Sequence, residues 1–169
     1  MALYVANESH DHYYRDGCVF REDINIFDKM AAIIRYANKV QVSYSLTTYS
    51  PYEGYRIAFN GTKGRLEAWI RERQPWEEEP FDEIQLTTNF GKREIIKISN
   101  QEEGHGGGDS RMKDKIFLPG TQYPYRQSAR VRDGAFSCLV GIAARKSIYS
   151  GQPVAIAGLT DLVPMENKI

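Results

Sequence analysis

The block Gly104-His105-Gly106-Gly107-Gly108-Asp109 has the residue types best suited to chemistry in this chain. Glycines give up more backbone entropy on folding than any other residue, so four within five positions point to a geometric requirement. Such a segment can adopt positive φ, pass close to a ligand, or turn successive N–H groups toward an anion. His105 is available as donor, acceptor or proton carrier near neutral pH. Asp109 is expected to cap a helix that follows. The bland reading of the same block is a flexible loop whose histidine does nothing.

Other chemistries find less support. The spacing is not GxGxxG and no Gly-Lys-Ser/Thr ends it, so neither a dinucleotide fingerprint nor a P-loop is present. His10 and His12 would point the same way on a strand, and with His105 and Asp109 they are nominal metal ligands. No third ligand stands at a diagnostic spacing, however, and no metal is assigned. Ser137, Cys138 and Ser147 fall on a helical pattern without a G-x-S-x-G elbow. Glu53, Glu67 and Asp109 are carboxylates whose separations cannot be read from sequence. No catalytic residue is assigned.

The elements that must position the block alternate. Residues 29–36 fit either a helix or a strand. The plain alternation of Val40, Val42, Tyr44 and Leu46 after an Ala37-Asn38-Lys39 turn favours a hairpin from about Lys29 to Tyr49. Ser50–Gly54 reads as a turn. Tyr55–Phe59 and Gly64–Arg71 pair across Asn60-Gly61 or a longer loop through Gly64. Residues 84–87 and 94–98 add two strands around Asn89-Phe90-Gly91. Two helices come late, one behind Asp109 and a longer one capped by Asp133. In the longer helix Phe136, Leu139, Val140, Ala143 and Ser147 share a side, and Gly151 and Pro153 end it. Val154–Ala157 reads as a final strand, and residues up to Ile24 as a strand fragment and loop.

The fold expected is α+β: an open, predominantly antiparallel β-sheet with helices on one face, forming a single domain over residues 1–169. Two helices cannot cover both faces, so the bare face is expected to meet a partner, most simply a second copy. The totals allow this. With 169 residues, 41% of them hydrophobic, the chain can bury a real core. Twenty-two basic and 22 acidic residues cancel. No global or local basic excess argues for nucleic-acid binding. No apolar run reaches the roughly 18 residues of a membrane span. Cys18 and Cys138 suit two buried or half-buried thiols in a reducing compartment. The opening Met1–Asn7 shows no secretory leader. The expected location is the cytoplasm.

Several stretches together resemble the C-terminal domain of the Gfo/Idh/MocA family of NAD(P)-dependent sugar and polyol oxidoreductases. They are Val40–Leu46, Ser50–Glu67 with its Asn-Gly-Thr-Lys-Gly-Arg-Leu-Glu run, the Gly104–Asp109 block, and Asp133–Gly151. The resemblance covers about residues 20–157 in the family's order. It implies an open sheet that lines a substrate pocket, with an exposed face making the subunit interface. It also implies His105, Asp109, Gly106 and Gly107 as substrate-binding residues, with Arg56 and Tyr49 as further positions. Relatives include glycosidases with a similar His-Gly-Gly-x-Asp element, which makes the implied ligand a sugar or polyol.

The family's GxGxxG, its Glu-Lys-Pro motif and its D-x-x-x-H pair are not found in this chain. The expectation is therefore a substrate-binding and dimerisation domain, not catalytically complete alone and binding no cofactor by itself. NAD(P) is implied only for a complete family member. Two alternatives stand beside it: a stand-alone carbohydrate-binding or structural protein, and a cofactor-independent glycosidase-like enzyme.

Overall fold

The computed structural model describes residues 2–100, 104–121, 125 and 128–164. Six strands form two antiparallel sheets, and the two longer helices follow them in sequence. The first sheet is the hairpin β1 (Lys29–Arg35) and β2 (Gln41–Thr47). The second holds β3 (Glu53–Gly61), β4 (Gly64–Arg73), β5 (Phe81–Thr88) and β6 (Arg93–Ser99) in sequence order. The α+β class is as the sequence implies, but the expected single sheet is divided. Residues 48–52 carry the chain from one sheet to the other, and β3 begins within the stretch read as a turn.

The alternation that favoured a hairpin is realised in the register. Met30 pairs with Leu46, Ala32 with Tyr44 and Ile34 with Val42. Along β1 exposed and half-buried residues alternate, with Met30, Ala32 and Ile34 on the more covered side. Residues of β1 and of α4 (Val131–Ser150), among them Phe136, Val140 and Ala143, line an open cleft of about 1630 Å³. Ala143 is the one buried hydrophobic residue among the described residues.

Between β3 and β4 the register runs to Gly61 opposite Gly64, so Thr62-Lys63 makes the turn and Asn60 still belongs to the ladder. Asn60 is occupied instead as an acceptor for the Arg65 guanidinium at 2.6 Å. Period-two alternation then gives the four-stranded sheet two unlike faces. Ile57, Ala68, Ile84 and Ile96 lie in one row across it, and Phe59, Leu66, Leu86 and Glu94 in the next. The opposite face carries Asn60, Arg65, Thr87 and Arg93 in one row and Ala58, Glu67, Gln85 and Ile95 in another. The apolar face is open: Tyr55 is 53% exposed and Phe59 58%. In all, the chain exposes 14962 Å², against about 8500 Å² for a compact monomer of its mass.

Helix α4 is bounded much as its sequence suggests, with one exchange of roles. Its N-cap is Arg130, and Asp133 sits at the third helical position. The Arg130 N–H donates back to the Asp133 carboxylate at 2.8 Å. Gly151 closes the helix, its N–H bonded to the Ser147 carbonyl at 2.8 Å.

Elsewhere the structure corrects the sequence reading. The opening residues form two single-turn helices, α1 (Ala2–Val5) and α2 (Glu8–Asp11), where a strand fragment was expected. His10 and His12 therefore do not alternate along a strand; His12 is the left-handed C-cap of α2. Instead of a final strand at Val154–Ala157, Ile156–Gly158 is a 3-10 turn. Cys18 and Cys138 are exposed free thiols, not buried ones. Among the described residues no helix is long and apolar enough to cross a membrane.

Candidate functional site

The glycine-rich block enters α3 (Gly108–Phe117) through a left-handed turn. His105, Gly106 and Gly107 all adopt left-handed φ, at 51°, 62° and 80°. This conformation costs a residue with a Cβ but not glycine, which explains Gly106 and Gly107 in physical terms. Gly107 is the N-cap of α3. The cap is thus not Asp109, as the sequence suggested. Asp109 lies in the helix's first turn, where the positive end of the peptide dipoles favours a carboxylate.

The turn brings His105 and Asp109 into direct contact. The imidazole Nδ1 lies 3.0 Å from both carboxylate oxygens. This hydrogen bond and the charge behind it raise the His105 pKa above the ordinary histidine value, and Glu72 on β4 adds a smaller Coulombic pull. With Nδ1–H committed to Asp109, the neutral ring keeps its lone pair on Nε2. The histidine side chain is 85% exposed, so that nitrogen is open to an incoming group. The arrangement can accept a hydroxyl proton at Nε2 while Asp109 stabilises the imidazolium.

Because the folded-state pKa is raised, any pairing contribution to stability is full at acidic pH. It fades as pH rises through the elevated value. In Asp109→Asn the His105 titration should move to lower pH, as ring-proton NMR would read. An unmoved midpoint would mean that the contact is not formed in solution.

The other expected positions have different partners. Tyr49 donates its hydroxyl to the Val19 carbonyl at 3.1 Å and stacks on Phe20, pinning the N-terminal segment. Arg56 lies over the Trp69 ring at 4.4 Å on the polar face of the larger sheet. Glu72 escaped the sequence reading, because nothing local shows that the end of β4 approaches the block. Among the described residues no group of three or more His, Cys, Asp or Glu side chains is gathered to hold a metal ion.

A family model described as "Oxidoreductase family, C-terminal alpha/beta domain" (GFO_IDH_MocA_C) matches residues 5–156. The chain belongs to this family. The Gfo/Idh/MocA C-terminal domain accounts for both the antiparallel sheets and the late helices. A Bacillus subtilis (strain 168) protein named "Putative oxidoreductase YteT" is 34% identical over 162 residues, covering 92% of this chain. The chain spans about a third of that relative's length, 36%. No solved structure gives a significant match.

The NAD(P) that the sequence resemblance implies for a complete family member calls for a parallel strand–helix–strand unit with a glycine turn at the helix start. Every strand pairing among the described residues is antiparallel. The block before α3 is wound into a His–Asp contact and, among the described residues, is followed by no further strand. The described residues thus form no parallel strand–helix–strand unit.

Proposed function

We propose that this domain binds a sugar or polyol at the His105–Asp109 turn and forms a dimer through the apolar face of the larger sheet. It would serve an oxidoreductase whose NAD(P) is held by residues outside this chain. One observation carries the ligand reading: an exposed imidazole whose Nδ1 is held by a carboxylate at 3.0 Å, leaving Nε2 free. A hydroxyl-rich ligand matches that acceptor, and exposed Gly106, with nothing within 4 Å of where a Cβ would stand, leaves room for its close approach, whereas Gly107 is buried and serves only the turn. His105 then orients a hydroxyl and Asp109 holds the ring. Family membership and the oxidoreductase name of the Bacillus subtilis relative support the wider assignment.

Calorimetric titration of the full chain against a panel of sugars and polyols tests the reading. A binder should emerge without cofactor, and His105→Ala should weaken it about tenfold, the scale of one charge-assisted hydrogen bond. Asp109→Asn should weaken it less, since the ring remains. No binder in the panel, or one indifferent to His105, would overturn the ligand assignment. Tight binding of NAD(H) to this chain alone would overturn the division of labour.

A further inference from the structure

The polar face of the larger sheet holds a cluster that the sugar reading does not use. Arg56 on β3 stands directly opposite Trp69 on β4, and Arg71 follows two residues on along the same face. Both guanidinium carbons lie close over the indole, at 4.4 and 4.9 Å from the ring centroid. Tyr52 meets the Trp69 ring edge-on at 5.8 Å and Trp76 at 5.7 Å, continuing the aromatic surface.

The pair stands apart from the ion pairs of this face. Elsewhere on the same face Arg65 binds Glu67 at 2.9 Å and Lys97 approaches Glu83 at 3.9 Å. Among the described residues neither Arg56 nor Arg71 meets a carboxylate within 4 Å. Two like charges are thus brought to one ring with no carboxylate in ion-pair contact, a repulsion that a bound anion would relieve. Stacking on the indole leaves the N–H edges of each guanidinium free, in the planar fork that binds carboxylate or phosphate through paired hydrogen bonds.

We propose that Arg56 and Arg71, held over Trp69, bind a small molecule bearing two oxyanionic groups, carboxylates or phosphates. Glu78, Glu79 and Asp82 line a small niche beside Arg71. Their charge sets an upper limit, so a short diacid fits where a long polyanion is repelled. The inference is independent of the ligand assigned to His105.

The chain's two tryptophans both belong to this cluster, so intrinsic fluorescence reports on it directly. The full chain is titrated with succinate and with inorganic pyrophosphate, against acetate and inorganic phosphate, at constant ionic strength. A saturable change is expected with at least one of the two-group probes, about tenfold tighter than with its one-group counterpart. Whichever probe binds identifies the acid class. Arg56→Gln and Arg71→Gln should each weaken binding about tenfold or more. Arg65→Gln, whose guanidinium is already engaged by Glu67, should leave it unchanged. Circular dichroism confirms that each variant is folded, and the lysine replacements serve where a glutamine variant is not. No saturable change with either two-group probe would overturn the site. So would binding that survives at both arginine variants.

Discussion

Gly54→Ala should lower the unfolding free energy by roughly 2–4 kcal/mol, a large fraction of what holds a domain of this size. Gly54 sits at the irregular step between Glu53 and Gly54 where β3 joins β4, with φ at 150°. A Cβ there would stand 2.2 Å from the Ile70 carbonyl oxygen and 3.0 Å from the Arg71 Cα. Both are backbone atoms of the neighbouring strand, so the ladder itself must move. A contrasting substitution lies in α4, where nothing comes within 4 Å of a Cβ on Gly141. There alanine removes a flexible residue from a helix and should stabilise by about 0.5–1 kcal/mol. Urea denaturation followed by circular dichroism measures both. Equal midpoints for Gly54→Ala and the parent would show that the strands do not approach as described.

The second large effect concerns assembly. Light scattering should report the chain at twice 19.3 kDa, and Ile57→Asp should return it to a monomer. Ile57 lies in the apolar row with Ala68, Ile84 and Ile96, and it is 40% exposed in the isolated chain. In a two-fold dimer the same face is used by both copies, so each substitution is counted twice. An unpaired carboxylate buried in such an interface costs about 3–5 kcal/mol, a weakening well beyond a hundredfold. Glu83→Gln, on the polar face, makes a fair control. A parent chain that stays monomeric at high concentration would remove the sheet face from consideration as a dimer surface.

Much of this architecture was readable from residue order, and the exceptions have physical reasons. The β1–β2 hairpin was legible because alternation continued past the ambiguous residues 29–36 into 40–46. Helix α4 was legible because an apolar stripe ran between an acidic start and a glycine stop. Asp109 and Asp133 each read as an N-cap because a carboxylate near a helix start looks alike at neighbouring positions. Only the backbone angles separate a cap from a residue one turn inside. The single-turn helices α1 and α2 are too short to show any period. A run such as Val154–Ala157 has strand composition, but with no ladder partner there it closes into a 3-10 turn.

The candidate site divides in the same way. His105 and Asp109 are four apart, so their contact follows once the intervening glycines reverse the chain. Arg56, Trp69 and Arg71 are brought together by register between strands, and that register depends on where the β3–β4 turn falls. Reading Asn60-Gly61 as the turn would have shifted every pair. The family resemblance implies Tyr49 at the pocket, yet its hydroxyl anchors the N-terminal segment through Val19, a tie that no local pattern announces.

Strand order in the larger sheet follows chain order, each strand hydrogen-bonded only to its sequence neighbours. Pairings of that kind close short loops at low entropic cost and favour rapid folding. Each hairpin can therefore mature during synthesis before residues 104–150 have left the ribosome. A folding nucleus confined to β3 and β4 would show itself as slowed refolding in Gly54→Ala, while changes in α4 mainly alter the rate of unfolding.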